Sequence, residues 1–96
     1  MNLQGKVGIV TGGSMGIGCA IALDLAAHGA DVAINYRKHA DEAGRIVGEM
    51  ERLGRRGLAV QADVASFDDA QRMVDTVREK FGRLDILVNN AGINRD

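Results

Sequence analysis

A single cysteine, Cys19, stands among the 96 residues, and proline and tryptophan are missing altogether. One thiol excludes an internal disulfide and fits a reducing cytoplasm. With one cysteine and two distant histidines, His28 and His39, a cysteine–histidine metal site is excluded as well. Excess charge is also lacking: the formal net charge is −1, which gives no global attraction to nucleic acid or to an anionic membrane. The opening MNLQGK has none of the basic-then-apolar layout of a signal peptide. The longest apolar region is broken by Asp24, His28 and Asp31, too soon for a membrane span. The apolar fraction of 46% is that of a folded chain. The expectation is a soluble, cytoplasmic domain, or part of a larger one.

Glycine, by contrast, is plentiful, and it punctuates an alternation of strands and helices. Val7 to Thr11 is a short run rich in β-branched residues and bounded by glycine, which reads as a buried strand. Ile17 to His28 is apolar almost all round and stops at Gly29, with Asp24 and His28 four apart on one face. Asp31 to Asn35 predicts the second strand. Asp41 to Leu53 then predicts a helix with Ala43, Ile46, Val47, Met50 and Leu53 on one face and a stop at Gly54. Gly44 and Gly48 inside it cost roughly 1 kcal/mol each relative to alanine, which suggests close packing there. Leu58 to Gln61 is a third strand. Ser66 is the expected N-cap of a third helix, with Asp68 and Asp69 in its first turn and Ala70, Met73, Val74, Val77 and Phe81 at helical spacing up to Gly82. Ile86 to Asn89 is the fourth strand. Apolar strands joined by helical crossovers predict an α/β fold, a doubly wound parallel sheet covered on both faces.

The glycine-rich turn between the first strand and first helix carries the chemistry. A helix N-terminus offers unpaired N–H groups and roughly half a positive charge, which suits a phosphate. In Gly12-Gly13-Ser14-Met15-Gly16-Ile17-Gly18 no Cβ stands at four of seven positions, and glycine allows positive φ. Ser14 adds a hydroxyl, and Gly18 lets the helix lie close to the strand. A turn without a ligand is the plainer alternative. A mononucleotide P-loop is excluded, because Cys19 and Ala20 stand where lysine and serine or threonine would follow. A dinucleotide is favoured, although the spacing here is Gly-x3-Gly-x-Gly rather than Gly-x-Gly-x-x-Gly.

TGGSMGIG (Thr11 to Gly18), ADV (Ala62 to Val64) and NNAG (Asn89 to Gly92) closely resemble the short-chain dehydrogenase/reductase family, over the whole chain. The start MNLQGKVGIVTGG and the end LDILVNNAGINRD are most similar to 3-oxoacyl-acyl-carrier-protein reductases. Acetoacetyl-CoA reductases share much of that ending, and INYRKHADEA is similar to glucose dehydrogenases. The resemblance implies a Rossmann fold with strand order 3-2-1-4, and a homo-oligomer, commonly a tetramer, for full-length members. It places Gly12, Ser14, Met15, Gly16, Ile17 and Gly18 around the cofactor's phosphates and ribose. Asp63 and Val64 would meet the adenine, although Asp63 also reads as a turn residue before a helix. Asn90, Ala91 and Gly92 would line the pocket beyond the fourth strand, with Asn89 and Thr11 as structural residues. Cys19 reads as a packing residue, and Arg52, Arg55 and Arg56 as a solvated face rather than a nucleic-acid site.

The family's reaction is hydride transfer between a nicotinamide and a carbonyl or alcohol, such as a small-molecule or acyl-carrier-bound carbonyl in fatty acid biosynthesis. Its tyrosine acid, the lysine four residues later, its serine and its asparagine lie beyond the region matched here. The only tyrosine, Tyr36, is followed four residues on by Ala40, so no catalytic residue is assigned. The fourth strand would leave a bare apolar edge. Residues 1–96 therefore read as the N-terminal, cofactor-binding portion of a reductase, with a non-catalytic dinucleotide-binding module as the alternative. At the end of the second strand, Asn35-Tyr36-Arg37-Lys38-His39 holds no carboxylate for a ribose 2′-hydroxyl. Arg37 can grip a 2′-phosphate with its fork of donors, or stand as a solvated cation. Met15 takes the place where many NADP-using relatives carry a basic residue. NADPH is expected over NADH.

Overall fold

The alternation predicted from periodicity is present: β1 (Val7–Val10), α1 (Gly16–Ala27), β2 (Asp31–Tyr36), α2 (Ala40–Arg52), β3 (Gly57–Gln61), α3 (Phe67–Phe81) and β4 (Ile86–Val88). The computed structural model describes residues 2–90. Every strand pairing is parallel, and the order is β3-β2-β1-β4, with Val7 opposite Asp31, Val32 opposite Gly57 and Gly8 opposite Ile86. Among the described residues, no helix is long and apolar enough to cross a membrane.

Side chains alternate between the two faces of a strand, so a strand covered on both sides must be apolar throughout. Val10, Val32 and Ile34 pack on one face with Ala22, Ala26, Ala43, Ile46 and Met50 from α1 and α2. Val7, Ile9 and Ala33 pack on the other with Met73 and Val77 from α3. The apolar perimeter of α1 resolves into a stripe of small residues. Gly18, Ala22 and Ala26, four apart, are its buried positions, and they let the helix axis approach the sheet. Helices α1, α2 and α3 stop at Gly29, Gly54 and Gly82, all at positive φ. Ser66 caps α3 as expected, its Oγ accepting from the Asp69 N–H at 3.3 Å.

Two expectations change on folding. Gly44 and Gly48 do not serve close packing, since a Cβ at either would meet nothing within 4 Å. Leu53 belongs to the predicted buried face of α2 but sits in its C-cap, 49% exposed. At the other end of the sheet β4 is the edge strand, and Leu87 is 60% exposed.

Candidate functional site

From β1 the chain winds to β2 on one side, while β4 flanks β1 on the other, so the carboxyl ends of β1 and β4 mark a topological switch point. The glycine loop lies there and runs into α1. Met15 is the N-cap of α1 and makes no side-chain cap. The first turn of α1 holds no acid, whereas α2 has Asp41 and Glu42 there and α3 has Asp68 and Asp69. Among the described helices, α1 alone keeps its positive end unneutralised by its own side chains.

The loop's glycines divide into distinct tasks. Gly12 and Gly16 have φ of +64° and +57°, the left-handed region that disfavours other residues. A Cβ at Gly16 would meet nothing within 4 Å, so this part of the loop opens outward. At Gly13 a Cβ would collide with the Ile34 side chain, and at Gly18 with the Gly12 carbonyl oxygen and, at 2.6 Å, the Asn90 Nδ2. Gly18 thus brings α1 against the loop and the end of β4, a closer target than the strand alone. Met15, Gly16 and Ile17 are exposed at the loop's rim, while Ser14 is buried.

Two buried amides hold this loop. Asn35 Oδ1 accepts from the Gly12 N–H, and its Nδ2 donates to the Ala62 carbonyl at 2.9 Å. Asn90 donates its N–H to Thr11 Oγ1 at 2.8 Å and its Nδ2 to the Gly12 carbonyl at 3.4 Å. Asn90 is 2% exposed, and its N–H and Nδ2 tie the loop, a bracing role beside the ligand-facing one expected from the sequence. Asn89, expected to tie neighbouring backbone segments together, is exposed, and its Oδ1 accepts from Thr11 Oγ1 at 3.3 Å. Thr11 is structural as expected, its N–H reaching the Val88 carbonyl at 3.0 Å. Asn35 was not singled out from sequence as a site residue. Its one signal there is a polar amide in an otherwise apolar strand interior.

The ends of β2 and β3 frame a second region. A cavity of ≈ 320 Å³ is walled by Arg37, Lys38, Gln61, Asp63, Asp69 and Arg72. Among the described residues the Arg37 side chain makes no ion pair, and it is exposed. Asp63 Oδ1 accepts from the Ala65 N–H at 3.0 Å, and its own N–H donates to Asp69 Oδ2 at 2.9 Å. Both carboxylates in the cavity wall are therefore engaged with backbone. Val64 is half-buried against the core. Ala91 and Gly92 lie outside the described residues. A larger hollow of ≈ 620 Å³ near Arg55, Arg56 and Phe81 lies at the opposite end of the sheet, beside the negative C-termini of α2 and α3. It has none of the glycine-loop features.

Residues 6–96 match the short chain dehydrogenase family. The chain is 47% identical over 94 residues to a 3-oxoacyl-[acyl-carrier-protein] reductase of Synechocystis sp., covering 98% of this chain and 38% of the relative. It is 50% identical over 91 residues to an L-rhamnose 1-dehydrogenase (NAD(P)(+)) of Sphingomonas sp., covering 95% and 36%. A short chain dehydrogenase of Burkholderia cenocepacia J2315, solved in complex with NADP, superposes with a TM-score of 0.90 at 57% identity, over 93% of this chain and 36% of that one. The chain thus spans about a third of the length of the proteins it matches.

Proposed function

The chain belongs to the short chain dehydrogenase family, and from that premise we propose that it carries the dinucleotide-binding part of an NADP(H)-dependent oxidoreductase, within one Rossmann domain. The reaction proposed is reduction of a 3-oxoacyl thioester to the 3-hydroxyacyl thioester by a homo-oligomeric enzyme. The observation that carries the cofactor reading is the cavity wall at the ends of β2 and β3. Arg37 and Lys38 stand there, and the end of β2 offers no carboxylate. The open face of Gly16 and the acid-free first turn of α1 fit a pyrophosphate.

Within this reading Gly12, Ser14, Met15, Gly16, Ile17 and Gly18 hold the pyrophosphate and its adjoining ribose. Arg37 holds the 2′-phosphate, Asp63 and Val64 meet the adenine, and Asn90, Ala91 and Gly92 line the cofactor pocket beyond β4. Asn35 and Asn90 keep the loop's backbone donors oriented before the ligand arrives, which lowers the ordering cost of binding. The bound dinucleotide supplies the reducing equivalents. The residues described here bind and orient it.

Calorimetry on the intact protein tests the cofactor reading. NADPH is expected to bind more tightly than NADH. Charge-assisted hydrogen bonds contribute roughly 1.5–3 kcal/mol, so Arg37→Ala should weaken NADPH about ten- to a hundredfold and spare NADH. An unchanged ratio would show that Arg37 is not the selector. Oxidation of a sugar is a second reading, favoured by the L-rhamnose 1-dehydrogenase relative. Turnover of an acetoacetyl thioester with NADPH supports the first, and turnover of an aldose with NADP⁺ or NAD⁺ the second.

A further inference from the structure

Pairing between β2 and β3 ends with Tyr36 opposite Gln61, and the Ala62 N–H closes the ladder on the Tyr36 carbonyl at 3.1 Å. The next carbonyl along the chain belongs to Arg37, and it is taken by a side chain: Gln61 Nε2 donates to it at 3.3 Å. The Gln61 backbone is held in turn, because Arg72 Nη2, reaching over from α3, donates to its carbonyl at 2.7 Å. Arg72 also lies 3.8 Å from Asp69, whose other oxygen accepts from the Asp63 N–H. The Gln61 amide therefore extends the ladder by one rung past the last paired residue. Without it Arg37 would be the first free residue of a bend, with backbone and side chain both to be ordered on binding.

We infer that Gln61, braced by Arg72, is a positioning residue for cofactor selection: it holds the Arg37 backbone, so that only the side chain remains to be ordered when the guanidinium meets an adenosine 2′-phosphate. This inference rests on the reading of Arg37 as the 2′-phosphate clamp. A donor on a pre-ordered backbone saves that part of the ordering entropy on binding, and the saving applies only to ligands that use the donor.

The test uses two probes that differ by one group, adenosine 2′,5′-bisphosphate and 5′-AMP, titrated into the intact protein by calorimetry. Gln61→Leu keeps the β3 backbone and removes the amide. It should weaken the bisphosphate about three- to tenfold, the worth of one modest hydrogen bond, and leave 5′-AMP within about twofold. Retained 5′-AMP binding also shows that the variant is folded. In the Arg37→Ala background, Gln61→Leu should have no further effect on the ratio, because the group it positions is gone. Equal weakening of both probes by Gln61→Leu, no weakening of either, or additive effects of the two substitutions overturns the inference while leaving Arg37 as the clamp. If Arg37→Ala itself leaves the ratio of the probes unchanged, the clamp reading falls, and the positioning role with it.

Discussion

At the amino ends of the strands, Asp31 takes the Arg56 backbone N–H and its Nε, each at 2.9 Å, and Arg56 lies 4.6 Å over the Phe81 ring. Asp85 likewise accepts from the Val7 N–H at 2.9 Å and from Arg83 Nε and Nη2. At the carboxyl ends, Asn35 and Asn90 make comparable side-chain bonds to backbone groups around Gly12. The amino ends satisfy these backbone groups with ion-paired carboxylates, whereas the groups around Gly12 are held by neutral amides, and the carboxylates of the carboxyl ends, Asp63 and Asp69, bond backbone at the end of β3 instead. A carboxylate at the loop would repel an incoming phosphate, while an amide accepts the same N–H without that cost and donates as well. The amino end closes on itself. The carboxyl end is braced from beneath and left open above.

Four substitutions press on this contrast. The largest effect belongs to Gly18→Val, which drives a side chain into the Gly12 carbonyl and the Asn90 amide. Loss of about 3 kcal/mol in urea unfolding is expected, as for an overfilled core, together with loss of NADPH binding. Gly16→Val is its paired control. It meets open space but carries a branched residue at φ +57°, so it should cost only about 1–2 kcal/mol while NADPH affinity falls. A Gly16 variant that binds NADPH normally would remove the loop from the site.

Asn35→Asp exchanges the chemistry of the two ends at constant shape. The Ala62 carbonyl loses its donor and a charge enters beneath the loop, so stability should drop by about 1–3 kcal/mol. NADPH and NADH should both weaken, since the pyrophosphate is common to them. Discrimination between the two cofactors should stay as it is. If Asn35→Asp binds both as wild type, the neutrality of the loop's brace has no bearing on phosphate.

The smallest effect is a pH dependence at the amino end. Hydrogen bonds from Arg83, then the Val7 N–H, hold the Asp85 carboxyl below its ordinary value. A depressed folded-state pKa stabilises the fold at pH above the unfolded value, and that contribution is lost as pH falls through the folded one. Asp85→Asn should therefore show a shallower acid limb in urea titrations below about pH 4. NADPH affinity at neutral pH should not change. A matching change in cofactor affinity would mean the two ends are coupled through β1 and β4.

The alternation of elements was legible because period-2 and period-3.6 patterns report local burial, and helix stops sit at glycines whose φ is set locally. Strand order agrees with the family resemblance, and the two-sided core follows from apolar strands such as Val32 to Ile34. Less was visible of what braces the loop. Asn35 meets Gly12 across 23 positions and Ala62 across 27. No local pattern shows such a meeting before β2 lies between β1 and β3. For the same reason the sequence alone did not show that Asn90, rather than its neighbour Asn89, would turn inward.

The sequence by itself determined to within about a residue where strands and helices begin and stop, which glycines form the loop, and that no carboxylate follows β2, because each depends on residues close in the chain. Tertiary structure alone decided which amides brace the loop, that Gly18 is pressed by a carbonyl while Gly16 faces open space, and that Gln61 reaches Arg37. Those outcomes depend on distances between strands, and parallel pairing brings such residues within hydrogen-bond reach only after the whole crossover has folded.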